Sequence, residues 1–199
     1  MAMASTSIAI LAKAPVPGFA KTRLVSDIGA HAAAVLQERL TACAVATAAA
    51  ADFGRVTVWC APDPTHRSFR ELGVALKRQP EGDLGARMLA AFSNTPTLVI
   101  GTDCPALTPT HLRAAAQALD THDVVLIPAE DGGYVLIGAK RPHPELFEAM
   151  TWSVPTVLAE TRGRIAALGL SAAELDTLWD VDTETDLARM ERQFPELAL

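Results

Sequence analysis

Several things are scarce in this sequence, and each scarcity removes a class of protein. Cysteine occurs only at Cys43, Cys60 and Cys104. An odd, widely spaced set makes neither a disulfide framework nor a zinc site, and reduced thiols in a cytosolic protein account for it. Nothing in the pattern marks Cys104 as a nucleophile. Aromatic residues are 5% of a chain that is 50% apolar, so Ala, Val and Leu must carry the packing, as where helices lie on a sheet. No apolar run is long and uncharged enough to span a bilayer; the candidate at residues 40–51 is Ala-rich and short. Met1–Ser7 has no basic region ahead of an apolar stretch, so no secretory leader is expected. A broad basic surface is missing too. The formal net charge is −6, which counts against nucleic acid as a partner, because phosphate backbones are held by Lys and Arg. The expectation is a cytoplasmic protein without membrane or nucleic-acid partners.

Missing motifs narrow the field further. A Walker A loop needs glycine directly before its lysine, and Ala20 precedes Lys21. No G-x-G-x-x-G fingerprint occurs. His31, His66, His111, His122 and His143 have no metal spacing, and no G-x-S-x-G elbow appears, which excludes a serine hydrolase of that kind.

What is present is an alternation of strand and helix along a chain of single-domain length, 199 residues. Strands are predicted at Ser7–Leu11, Val56–Cys60, Val74–Lys77, Thr97–Ile100, Val124–Ile127 and Val135–Ile137. A last apolar piece ends in Trp179-Asp180-Val181-Asp182. Helices are predicted from a cap at Ser26 or Asp27 through Ala51, and at Thr65–Leu72, Leu84–Phe92, after Thr108-Pro109, and at Val154–Leu168. Thr183 with Asp186 resembles a capping box for a final helix. The pattern implies an α/β, three-layer, Rossmann-like domain over residues 1–199, with a mostly parallel sheet and helices on both faces. The first long helix is nearly all Ala, Val and Leu, so most of its surface should be covered, by the sheet or by a second copy in a homodimer.

In such sheets ligands gather beyond the carboxyl ends of the strands, and the polar motifs fall there. No acidic residue occurs from Met1 to Ser26, while Lys13, Lys21 and Arg23 share one Pro- and Gly-bearing loop with Gly18. Backbone N–H groups, a helix N-terminus and these cations would suit a diphosphate; a solvated structural loop is the alternative. Asp103, in Gly101-Thr102-Asp103, either closes its strand as an Asx-turn or is a hard oxygen ligand for Mg²⁺ or Mn²⁺, which take one or two protein carboxylates plus phosphate and water. Asp182, or Asp180, would be its partner, although Asp182 also stands where a helix cap would. Around Gln79, Gly82 and Gly85 would let backbone approach a ligand, with Asp83 also a plain cap. Asp131-Gly132-Gly133 reads as a tight turn, or Asp131 or Glu130 faces an acceptor as general base. Trp152-Ser153 is core or a sugar contact.

In this order the segments AKAPVPGFAKTRL, QPEGDLGARM, GTDCPALT, DGGYVLIG, FEAMTWSVPTVL and LWDVDTETDL resemble a family of small bacterial single-domain GT-A proteins grouped with glycosyltransferases, some associated with arsenosugar biosynthesis. That family looks like a relative of phospholactate guanylyltransferase and the sugar-nucleotide pyrophosphorylases. The resemblance implies a GT-A sheet binding a nucleoside diphosphate. It would place Lys13, Lys21 and Arg23 on phosphates, with Ala12 and Gly18 in the same loop and Lys21 and Arg23 assisting catalysis. Gln79, Gly82, Gly85 and Arg87 would lie at the nucleotide, and Asp103 with Asp182 on the metal. Asp131 would be the acceptor-side base, and Gly132, Gly133, Trp152 and Ser153 would touch the acceptor. One departure counts against pyrophosphorylase chemistry: their Gly-rich loop is replaced here by a Pro-bearing one. The expected activity is metal-dependent glycosyl transfer from a nucleotide sugar to a small acceptor. The alternatives are nucleotidyl transfer from an NTP with release of pyrophosphate, and a non-catalytic nucleotide-binding accessory protein.

Overall fold

A computed structural model describes residues 6–199; the leader expectation rests mainly on Met1–Ser5, outside the described residues. Seven strands, β1 (Ser7–Lys13), β2 (Val56–Ala61), β3 (Ala75–Arg78), β4 (Thr97–Ile100), β5 (Val124–Pro128), β6 (Tyr134–Ala139) and β7 (Ala172–Glu174), form one sheet in the order β3-β2-β1-β4-β6-β5-β7. All neighbours run parallel except around β6, which is antiparallel to both β4 and β5. The chain leaves β1 toward β2 and β3, then returns to place β4 on the other side of β1. Between β1 and β4 the winding reverses, and the loops leaving their carboxyl ends diverge to open a crevice.

Among the described residues six α-helices accompany the sheet: α1 (Val25–Ala50), α2 (Arg67–Arg70), α3 (Leu84–Ala91), α4 (Pro109–Thr121), α5 (Val157–Ala167) and α6 (Glu184–Gln193). Strand alternation sorts the core into two faces. Ile8 and Ile10 of β1 and Val125 and Ile127 of β5 pack with Ala44, Val45, Leu112 and Ala115 of α1 and α4. Ala9, Val124 and Leu126 point the other way, onto Met88, Ala91, Leu158 and Ile165 of α3 and α5. A third cluster joins Leu36 and Leu40 of α1 to Trp179, Val181, Leu187 and Met190. It clamps the segment carrying Asp180 and Asp182. No helix among the described residues is long and apolar enough to cross a membrane.

Two expectations need correction. The cap of α1 is Leu24, without a side-chain bond, not Ser26 or Asp27. The regular helix is broken at Gly29, whose φ of 79° lies in the left-handed region that residues with a Cβ avoid. Second, Asp180 and Asp182 do not end a strand: a single bridge, Ala129 to Leu178, precedes them. Within the chain α1 buries its inner face and leaves Ala42, Ala46 and Ala49 exposed.

Candidate active site

A cavity of about 680 Å³ opens above the carboxyl ends of β1 and β4, within the range of small-molecule sites. Its centre is an ionic knot. Residues 14–24 fold back so that the Lys21 side chain, 4% exposed, reaches Asp103: Nζ lies 2.7 Å from Oδ1 and 3.9 Å from Oδ1 of Asp182. Nζ also donates to the Val181 carbonyl at 2.6 Å. Arg23 Nη1 donates to Asp182 Oδ2 at 2.7 Å. Lys21 adopts φ 49°, ψ 41°, and Ser153 across the cavity has φ 62°. Strained backbone of this kind persists where surrounding structure over-determines it, as functional sites do.

Asp103 is held from behind. Gln37 Nε2, buried within α1, donates to Thr102 Oγ1 at 2.9 Å and to Thr41 Oγ1 at 3.1 Å, and Thr102 Oγ1 faces Asp103 Oδ1 at 3.3 Å. The Val181 N–H donates to the Asp103 carbonyl at 2.9 Å, tying the two aspartate segments together. Gln37 was legible, with Thr41 one turn on, as a polar pair on the inner stripe of an Ala/Val/Leu helix, and sequence reasoning passed over it.

The helix-cap explanation for Asp182 does not hold: Thr183 caps α6 in a box with Asp186. The Asp182 carboxylate faces the loop cations instead. Burial pushes its pKa up, against the pull of Lys21 and Arg23. Asp180 is affected more strongly. Burial, then the negative charges of Asp103, Asp131 and Asp182, raise it to about 7. Burial and Asp180 push the Cys104 thiol to about 12, so Cys104 is no thiolate nucleophile.

Along one side the cavity wall includes Ala12, Lys13, Gln79 and Arg87, which the resemblance assigns to a nucleotide, together with Leu84 and Met88. Gln79 Nε2 donates to the carbonyls of Ala12 (3.1 Å) and Trp59 (2.8 Å); this ties β1 to β2 and leaves only the amide oxygen for a ligand. Arg87 Nε donates to the Gly82 carbonyl at 3.1 Å. Gly18, Gly82 and Gly85 are not in the wall. A Cβ at Gly85 would stand 2.7 Å from Trp152 Cζ2 and 2.8 Å from the Phe147 carbonyl, so this glycine admits a tryptophan rather than a ligand. Asp83 is the cap of α3, accepting from the Ala86 N–H at 2.8 Å.

On the opposite side Asp131, Gly133, Trp152 and Ser153 line the cavity. The Gly133 N–H donates to Asp131 Oδ1 at 2.8 Å. Gly132 is outside the wall; a Cβ there would lie 2.1 Å from the Pro155 carbonyl, and its own carbonyl accepts from the Leu158 N–H at 2.9 Å. Glu130 is held away in a two-bond fork with Arg189, at 2.8 and 3.2 Å, and Arg189 lies over the Trp179 ring.

The donor set at the knot is two carboxylates and a carbonyl, all hard oxygens converging on one positive charge. Among the described residues no three His, Cys, Asp or Glu side chains form a metal cage. That suits Mg²⁺ or Mn²⁺ completed by phosphate and water, and not a closed structural site.

Comparisons with known proteins agree with this architecture. The chain is 26% identical to a Desulfovibrio desulfuricans G20 protein provisionally named a nucleotide-diphospho-sugar transferase, covering 94% of this chain and 87% of that one with a TM-score of 0.87. CMP:2-keto-3-deoxy-manno-octonic acid synthetase, solved with CTP, shares the fold at TM-score 0.58 and 11% identity over 96% and 98% of the two chains. Glucosyl-3-phosphoglycerate synthase from Mycobacterium tuberculosis, solved with Mn²⁺, UDP and phosphoglyceric acid, does so at 0.56 and 14%, over 97% and 76%. No curated protein matches. Residues 44–154 match the family DUF2064, described as an uncharacterized protein conserved in bacteria, and the chain belongs to that family, with the fold of the nucleotide-diphospho-sugar transferases.

Proposed function

We propose that this protein is a transferase that moves a glycosyl group from a nucleoside-diphosphate sugar to a small acceptor. The observation that carries this reading is the meeting of Lys21 and Arg23 with Asp103 and Asp182 at the floor of the cavity. Asp103 and Asp182 would hold Mg²⁺ or Mn²⁺, whose contribution is to neutralise the departing diphosphate. Lys21, Arg23 and Lys13 would bind the phosphates, so that negative charge growing on the leaving oxygen meets fixed positive charge. The acceptor hydroxyl would attack the anomeric carbon as the bond to the diphosphate breaks, giving its proton to Asp131. Gly133, Trp152 and Ser153 would orient the acceptor. Asp182 is preferred to Asp180 as second ligand because it shares the Lys21 ammonium with Asp103.

Nucleotidyl transfer is the second reading, favoured by the fold shared with the CTP-bound synthetase; the same cations would then hold the pyrophosphate released. Both readings are tested by thermal shift with UDP-, GDP-, CDP- and TDP-sugars and the free NTPs, each with Mg²⁺ or Mn²⁺. Stabilisation by nucleotide sugars, lost in Asp103→Asn, supports glycosyl transfer. Stabilisation by NTPs alone favours nucleotidyl transfer. Unchanged metal-dependent binding in Asp103→Asn refutes the metal assignment.

A further inference from the structure

The knot is balanced as it stands. Lys21 and Arg23 offset Asp103 and Asp182, and each carboxylate assigned to the metal already has a cation 2.7 Å away. Lys21 is also nearly sealed: its side chain is 4% exposed, with Val181 and Asp103 taking two of its three N–H donors. An Mg²⁺ or Mn²⁺ ion arriving alone would put two further positive charges beside this ammonium in a partly buried place, where charges interact more strongly than in water. A diphosphate arriving alone would meet the carboxylates of Asp103, Asp131 and Asp182. Either ligand alone binds the balanced knot weakly, because it must unseat an ion pair without supplying a new partner for the group released. Together they supply both partners: the metal takes the aspartates while the diphosphate takes the lysine and arginine.

From this geometry we infer that Lys21 is the resident cation of the Asp103–Asp182 pair and exchanges partners when metal and nucleoside diphosphate bind. The inference rests on the metal reading above. Lys21 leaves Asp103 and the Val181 carbonyl, and its ammonium moves to a phosphate oxygen; no covalent bond changes. The consequence is reciprocal coupling: nucleotide strengthens metal binding by the factor by which metal strengthens nucleotide binding. Release of Lys21 adds to the coupling that direct phosphate–metal contact supplies.

The test measures free Mn²⁺ by electron paramagnetic resonance, with and without UDP and GDP. In the unaltered protein either effective nucleotide is expected to tighten Mn²⁺ binding by about tenfold or more, a coupling of about 1.4 kcal/mol. Lys21→Met is expected to bind Mn²⁺ without nucleotide about tenfold more tightly than the unaltered protein, and to show a smaller nucleotide effect, that of direct phosphate–metal contact alone. Equal or weaker Mn²⁺ binding by Lys21→Met overturns the exchange. Asp103→Asn separates the two levels. If it leaves Mn²⁺ binding unchanged, the metal reading fails; if it abolishes binding while Lys21→Met does not tighten it, only the exchange fails. A readout on the unaltered chain guards against misfolding of the variant. Acetylation of Lys21 by an amine-reactive reagent, followed by mass spectrometry, should rise several-fold on adding saturating Mn²⁺, and constant protection refutes the displacement.

Discussion

Replacing Gly85 by alanine separates two explanations of the Gly82–Gly85 loop. If the glycine exists to admit a ligand, Gly85→Ala leaves the free protein as stable as before and weakens only nucleotide binding. The structure says otherwise. The added methyl would stand 2.7 Å from the Trp152 ring and 2.8 Å from the Phe147 carbonyl, where ordinary contact begins at 3.4 Å. The indole can swing; the carbonyl is backbone and cannot follow cheaply. Overpacking costs about 1–3 kcal/mol, and a clash with backbone falls in the upper part of that range, about 2–3 kcal/mol; alanine's better helix propensity returns about 1 kcal/mol. The net is a loss of roughly 1–2 kcal/mol. For a chain of this size that lowers Tm by about 2–8 °C. Gly163 supplies the control: it lies in α5, where an added Cβ would meet nothing within 4 Å, so Gly163→Ala should gain about 0.5–1 kcal/mol. Thermal unfolding of both variants, followed by circular dichroism, decides the matter. An unchanged or raised Tm for Gly85→Ala refutes the packing account.

Gln37→Leu keeps the volume but leaves the Thr102 hydroxyl without its buried donor, and should cost about 1–3 kcal/mol in urea unfolding; it should also weaken metal-dependent nucleotide binding, since Thr102 steadies Asp103. Asp180 holds a proton up to about pH 7 in the folded chain, against an ordinary aspartate value of 3.8. Between those values the folded state binds more protons, so stability falls as pH rises through the window. Asp180→Asn should remove that part of the slope and be the more stable protein at pH 8, read from urea midpoints at pH 5 and 8. Arg189→Ala loses both the Glu130 fork and the Trp179 stack and should destabilise by about 1–2 kcal/mol. Glu130→Ala alone should cost less, and a double-mutant cycle by urea unfolding isolates the fork.

How far the sequence reveals this site depends on the range of each interaction. Strand runs such as Thr97–Ile100 and caps such as Thr108 and Thr183 are local signals, and the structure places them where composition and spacing put them. The meeting of the first loop with both aspartates was foreshadowed only by the family resemblance and by strand-end logic, because Lys21 and Asp182 stand near opposite ends of the chain. What stayed hidden was contact chemistry. Nothing local tells that Gln79 is occupied by two carbonyls, or that Gly85 faces an indole. The reversal of β6 was half visible, as a turn at Asp131 between two apolar runs. The break at Gly29 was overlooked because an Ala-rich sequence reads as continuous helix on both sides of it.

The reversed strand β6 also fixes how the protein can vary. Everything proposed to touch the nucleotide phosphates and most of the base side comes from the chain before β5, whereas the acceptor side comes from the β5–β6 turn and the loop around Trp152. Because β5 returns directly into β6, that turn sits on the rim without a helix between the strands, anchored by Gly132 against Pro155. Turn and loop can therefore change length and chemistry as a matched pair while the parallel half keeps its register. On the proposed reading the sheet is a fixed socket for an activated donor beside an exchangeable fitting, and grafting residues 130–133 together with 152–155 from a relative is the natural way to retarget it.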